Sequence, residues 1–103
     1  MMHVISLKRL REFFQRHPDA TEPLRQWYRL VRGAEWQSLP DVRRVYPHAD
    51  VVTVASGHAV TVFNSGGNKY RLIAAIHYNR QRVYVLRVLR HAEYSKGRWK
   101  DEL

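Results

Sequence analysis

The chain reads as one α+β domain over residues 1–103, with an antiparallel helix pair laid against a strand meander. Three observations carry that expectation. Apolar residues before position 35 recur at helical spacing. Those after position 50 sit in short β-branched runs broken by Gly, Ser and Asn. A chain of 103 residues, 45% hydrophobic, can also bury one core with little spare stability.

His3–Ser6 is a short β-prone run. Ser6 is placed to cap a helix that runs to about His17, where Pro18 ends it. Leu7, Leu10 and Phe14 fall at i, i+3 and i+7 and share one face, which Phe13 extends; Arg9, Arg11 and Arg16 lie elsewhere on the cylinder. Thr21 begins the second helix: its hydroxyl can accept an unpaired backbone N–H, Glu22 suits the positive end of the dipole, and Pro23 is tolerated in the first turn. Leu24, Trp27, Tyr28 and Val31 continue the apolar face, and Gly33 supplies the stop. At this spacing Phe14, Trp27 and Tyr28 are core rather than a platform for stacked bases. Ser38-Leu-Pro-Asp41 resembles a capping box and opens a short helix with Val42 and Val45 on its apolar edge; Arg43 and Arg44 face solvent, and Pro47 closes it.

Val51–Val54 and Ala59–Phe63 are short strands joined through Ser56-Gly57. Ser65-Gly66-Gly67 is a second turn. It lacks both the glycine-to-lysine spacing of a Walker loop and a following helix, so it reads as a hairpin turn. Tyr70–Tyr78 and Arg82–Leu89 are the strongest strands, joined by Asn79-Arg80-Gln81. Period two places Tyr70, Leu72, Ala74, Ile76 and Tyr78 on one face, and Arg71, Ile73, Ala75 and His77 on the other. Pairing Tyr78 with Arg82 sets Ile73 opposite Arg87, so Arg71 becomes a diagonal neighbour of Arg87. Two arginines so placed repel unless an anion sits between them. A one-residue slip would undo this.

The charge is uneven. Residues 68–100 hold nine Lys/Arg against one acid, Glu93, whereas residues 1–67 hold nine against six, and the whole chain is +9. Uncompensated charge on a strand hairpin suits phosphate. His91 follows the last strand at once, with Tyr94 and Lys96 within one further turn. Histidine titrates near neutrality and suits proton transfer. Tyrosine can stack on a base or donate a proton, and lysine or arginine can stabilise a phosphorane-like transition state. Glu93 is placed to orient His91 or Lys96, or to serve as plain surface.

Other classes fall away. No apolar run approaches the ~20 residues that cross a bilayer. Charges inside MMHVISLKRLREFF do not fit a signal peptide. With no cysteine, disulfides and thiolate metal sites are impossible, and a cytoplasmic setting fits. The six histidines are scattered without metal-ligand spacing.

FNSGGNKYRL, then a strand hairpin, then RHAEYSK, together with the opening HVISLKRLREFFQRHPDA, resemble the HigB branch of the RelE-like toxins, the mRNA interferases of bacterial type II toxin–antitoxin systems. The similarity covers nearly the whole chain in order. It implies a small RelE-like α+β domain with N-terminal helices packed on a twisted, mostly antiparallel β-sheet. It implies a cytoplasmic, ribosome-dependent endoribonuclease that needs no metal or cofactor. In such an enzyme the ribose 2′-OH attacks the adjacent phosphate of mRNA in the ribosomal A site. The implied partner is a HigA-like helix-turn-helix antitoxin.

Carried onto this chain, the resemblance makes Arg71 the holder of the scissile phosphate and His91 the general acid. Tyr94 stacks on a base or shares the proton transfer. Lys69 and Lys96 stabilise negative charge, and Lys69 and Tyr94 both stand as options for the general base. Arg87 and Arg90 bind mRNA or ribosomal RNA. Two positions depart from the pattern: Arg90 stands where a small polar residue is expected, and Ser95 where an acid is common. The rival readings are a non-catalytic basic RNA-binding module and a basic protein–protein adaptor.

Overall fold

The computed structural model describes residues 1–67 and 69–103; Asn68, part of the GNKYRL motif, lies outside them. The elements run β1 (His3–Ile5), α1 (Leu7–Arg16), a 3-10 turn (Pro18–Ala20), α2 (Thr21–Arg32), α3 (Leu39–Val45), β2 (Asp50–Thr53), β3 (Ala59–Ser65), β4 (Tyr70–His77), a second 3-10 turn (Tyr78–Arg80), β5 (Arg82–Arg90), α4 (His91–Lys96) and α5 (Arg98–Glu102). The five strands form one sheet in the order β1-β5-β4-β3-β2. β2 to β5 are the expected antiparallel meander, while the short N-terminal run joins the far edge parallel to β5, with Val4 beside Val83. The sheet is therefore mixed but mostly antiparallel.

The helical period places the core. α1 contributes Leu10 and Phe13, and α2 contributes Leu24, Trp27 and Val31, against Phe63, Tyr70, Leu72 and Val85 of the sheet. Phe63 is fully buried and is the hub: the rings of Trp27, Trp36 and Tyr46 lie 5.3–6.1 Å from its own. Phe13, rather than Phe14, turns onto the sheet and meets Tyr70 edge-on at 5.6 Å. Phe14 and Tyr28 are half-buried and pack against the core, so the expected aromatic stripe belongs to the core and is fully buried at Trp27.

The helix starts follow the expected positions but not the expected bonds. Ser6 holds the N-cap of α1 with φ 72°, and its side chain makes no capping bond; its carbonyl accepts the Arg9 N–H at 3.1 Å instead. The Pro18–Ala20 turn leads straight into α2, so Ala20 takes the cap and Thr21 is already helical. At α3 the box itself does not form: Ser38 makes no side-chain capping bond, and the Asp41 carboxylate accepts the N–H of Gln37, one residue before the cap, at 2.9 Å.

Pairing in the long hairpin agrees with the expected register where the charge argument needs it. Arg71 faces Leu89 and Ile73 faces Arg87. Nearer the turn the register slips by one, with Ala74 opposite Val85 and His77 opposite Arg82. Leu86 is the extra residue of this β-bulge. The bulge keeps Val83, Val85 and Val88 all on the helix side and sends Leu86 and Leu89 to the other. On that second face Val54, Val60, Val62 and Ile73 are covered by Trp99, carried by α5, an element not anticipated above.

Tyr46 offers a stability test. Burial pushes its hydroxyl up to about 12 from an ordinary value near 10. The folded state thus favours the neutral phenol, and that contribution, complete below pH 10, is lost as pH climbs towards 12. Tyr46→Phe is expected to make the loss of stability across pH 10–12 shallower, as read by urea unfolding at stepped pH.

Candidate active site at the ends of β4 and β5

The site is built where the β4–β5 ladder ends. Tyr70 pairs with Arg90, and just beyond, the His91 N–H donates to the Lys69 carbonyl at 3.0 Å. This bond clamps Lys69 and His91 side by side, both with exposed side chains. His91 opens α4, and Ser95, one turn on, brings its Oγ to 3.4 Å from His91 Nδ1.

Arg71, second in β4, points to the sheet face away from α1 and α2. It is only 9% exposed, and a charge so buried must be held by partners. Its Nη1 donates to the Tyr70 carbonyl at 3.2 Å, and its guanidinium carbon lies 5.4 Å from the centroid of the Tyr94 ring. Cation–π attraction strengthens where water is kept out. Tyr94 in turn stacks on Trp99 with centroids 5.4 Å apart and planes at 17°, and the Trp99 indole N–H donates to the Tyr94 carbonyl at 3.1 Å. Trp99 is 2% exposed. A buried tryptophan thus fixes both the ring and the backbone of Tyr94, and Tyr94 braces Arg71.

The other cations are arranged differently. Arg87 donates to the Leu86 carbonyl at 2.7 Å and faces Glu102 of α5 at 3.9 Å, so the anion that the Arg71–Arg87 diagonal calls for is met, at Arg87, by a carboxylate of the chain itself. Arg90 pairs with Glu93 at 3.3 Å, which answers the open role of Glu93: it neither orients His91 nor binds Lys96. Lys96 lines a cavity of about 200 Å³ with Glu93, Trp99 and Glu102 rather than joining Arg71. The Arg90–Glu93 pair is exposed, and such pairs contribute about 0–1 kcal/mol; Arg87 is more enclosed, its side chain 28% exposed.

The structure therefore joins Arg71 to Tyr94 through side chains and Lys69 to His91 through backbone, at one end of one hairpin. Trp99 and Glu102 are the residues that sequence reasoning missed. The only signal for Trp99 was a large apolar side chain inside the polar run Arg98–Glu102.

The family model for the HigB toxin, described as a RelE-like toxic component of a toxin–antitoxin system, matches residues 20–97. Among curated proteins, the mRNA interferase HigB of Escherichia coli O6:H1 is 28% identical over 95 residues, covering 92% of this chain and 90% of that protein. The mRNA interferase toxin HigB of Escherichia coli K12 is 27% identical over 94 residues, covering 91% and 88%, and the Shigella flexneri mRNA interferase HigB matches to the same extent. With a helix-backed, mostly antiparallel sheet and a family match over most of its length, the chain belongs to the RelE-like HigB toxins, the toxic component of a toxin–antitoxin system.

Proposed function

We propose that this toxin is an endoribonuclease that cuts mRNA in the ribosomal A site, using side chains alone and no metal. The observation that carries the reading is Arg71, a buried, braced cation beside the hairpin end where His91 and Lys69 are clamped together. In the reaction the ribose 2′-oxygen attacks the adjacent phosphorus and the P–O5′ bond breaks. The 2′-OH proton passes to a base, Lys69 or Tyr94, and His91 gives a proton to the departing 5′-oxygen. Arg71 holds the non-bridging oxygens and meets the charge that builds on them. Lys69 and Lys96 add to the positive field, and Arg87 and Arg90 exchange their carboxylates for RNA phosphates.

Ser95 engages His91 at Nδ1, which makes Nε2 the nitrogen available to the leaving oxygen. With one face against Trp99 and Arg71 over its ring, Tyr94 serves through its hydroxyl better than through a stacking face. Trp99→Leu is expected to lower the cleavage rate by about 10–100-fold with ribosome affinity unchanged, since it loosens Tyr94 without touching RNA.

The partner in the cell is a HigA-like helix-turn-helix antitoxin, and the setting is the cytoplasm; no helix among the described residues is long and apolar enough to cross a membrane. The chemistry is tested at the ends of the fragments. Mass spectrometry of cut mRNA is expected to show 2′,3′-cyclic phosphate on the upstream piece and a 5′-hydroxyl on the downstream one. A 3′-hydroxyl with a 5′-phosphate would contradict the 2′-OH mechanism, and ribosome binding without any cut would favour a non-catalytic RNA-binding module.

A further inference from the structure

The helical side of the molecule carries a second feature that the proposed chemistry does not use. A hollow of about 240 Å³ lies between α1 and α2, lined on its apolar side by Leu7, Leu10, Phe14, Leu24 and Tyr28. A further hollow of about 350 Å³ shares Leu7 and Tyr28 as walls and continues past Val4 to Arg32. The two adjoin along these shared walls as one furrow.

Its charge is one-sided. Arg11 and Arg25 line the first hollow and Arg32 the second, and no Asp or Glu lines either. The acids on these helices are engaged elsewhere, Glu12 with Lys8 and Glu22 with Arg29. Among the described residues, no carboxylate pairs with Arg11, Arg25 or Arg32; Arg25 instead lies 5.9 Å from the centroid of Phe14.

We propose that this furrow is the docking site for an acidic amphipathic segment of the antitoxin, seated on the sheet side opposite Arg71. The aliphatic floor asks for apolar anchors at i, i+3 or i+4 and i+7 of a helix, and the arginine rim asks for carboxylates beside them. RNA offers phosphates but no aliphatic groups to fill the floor, so a protein segment fits better. The proposal rests on membership of a toxin–antitoxin family and not on the cleavage chemistry.

The test is isothermal titration of the antitoxin encoded beside this chain into toxin carrying Arg71→Ala, which permits expression. Arg11→Glu/Arg25→Glu in that background is expected to weaken binding about 30-fold or more. Arg9→Glu/Arg80→Glu, an equal charge change at exposed positions outside the furrow, is expected to change it less than about threefold, as befits rim charges away from the interface. Unchanged binding in the furrow variant, or equal loss in both variants, overturns the proposal. So does a furrow variant that binds antitoxin normally but loses affinity for ribosomes, which would make the furrow a nucleic-acid surface. Should the furrow variant fail to fold, hydrogen exchange on the Arg71→Ala complex decides: new protection in residues 7–14 and 24–32 supports the proposal, and its absence overturns it. With Arg71 intact, the furrow variant is expected to cut mRNA as wild type does. If wild type itself does not cut, the cleavage reading fails while the binding result stands.

Discussion

Arg71→Ala is expected to lower the rate of mRNA cleavage by about 10²–10³-fold, the loss typical of a donor aimed at developing oxyanion charge. The expectation follows from placement. Arg71 is 9% exposed and held between the Tyr70 carbonyl and the Tyr94 ring, so its guanidinium is already oriented before RNA arrives. A pre-oriented charge in a partly dry site does not have to reorganise as the phosphate gains charge. Arg71→Lys is expected to recover little, because an ammonium cannot make the planar two-pronged contact with phosphate or lie flat on Tyr94. The alanine variant is expected to keep a single cooperative thermal transition, which separates loss of rate from loss of fold. A rate within threefold of wild type would remove Arg71 from the chemistry.

His91→Ala is expected to slow single-turnover cleavage by about 10²–10⁴-fold, the range for loss of a positioned acid or base. Its side chain is exposed, so the fold is expected to survive and ribosome affinity to be retained. The role as acid can be separated from phosphate binding. An mRNA with sulfur in place of the bridging 5′-oxygen at the cut carries a leaving group that needs no proton. On that substrate the variant is expected to approach the wild-type rate. Failure to recover, with binding intact, would assign His91 to charge stabilisation.

Much of this arrangement was legible in the sequence, and what was not has definite causes. The helix pair was legible because Leu10, Leu24, Trp27 and Val31 repeat at a helical period. The caps were not: Ser6, Thr21 and Ser38 have suitable side chains, but backbone turns satisfy the helix starts instead. Phe14 and Phe13 both fit the apolar arc of α1, and only packing against Tyr70 decides which one is buried. The β5 bulge left a trace in the spacing of Val83, Val85 and Val88, which breaks strict alternation after the second valine. The nearness of Lys69 and Arg71 to His91 and Tyr94 was legible because the first two sit at the start of β4 and the last two follow β5, its antiparallel partner. α5 was not, since five residues with one buried side chain carry no period. The Arg90–Glu93 pair is an i,i+3 contact of local spacing, whereas the pairing of Arg87 with Glu102 depends on how the last residues fold back over the sheet, which no local spacing encodes.

The most direct test is primer extension on a reporter mRNA in a reconstituted translation reaction, comparing wild type with Arg71→Ala. The account predicts discrete cuts in the translated region, present with active ribosomes, absent from naked mRNA and lost in the variant. Cuts that persist undiminished in Arg71→Ala, or that appear equally on naked mRNA, would contradict it.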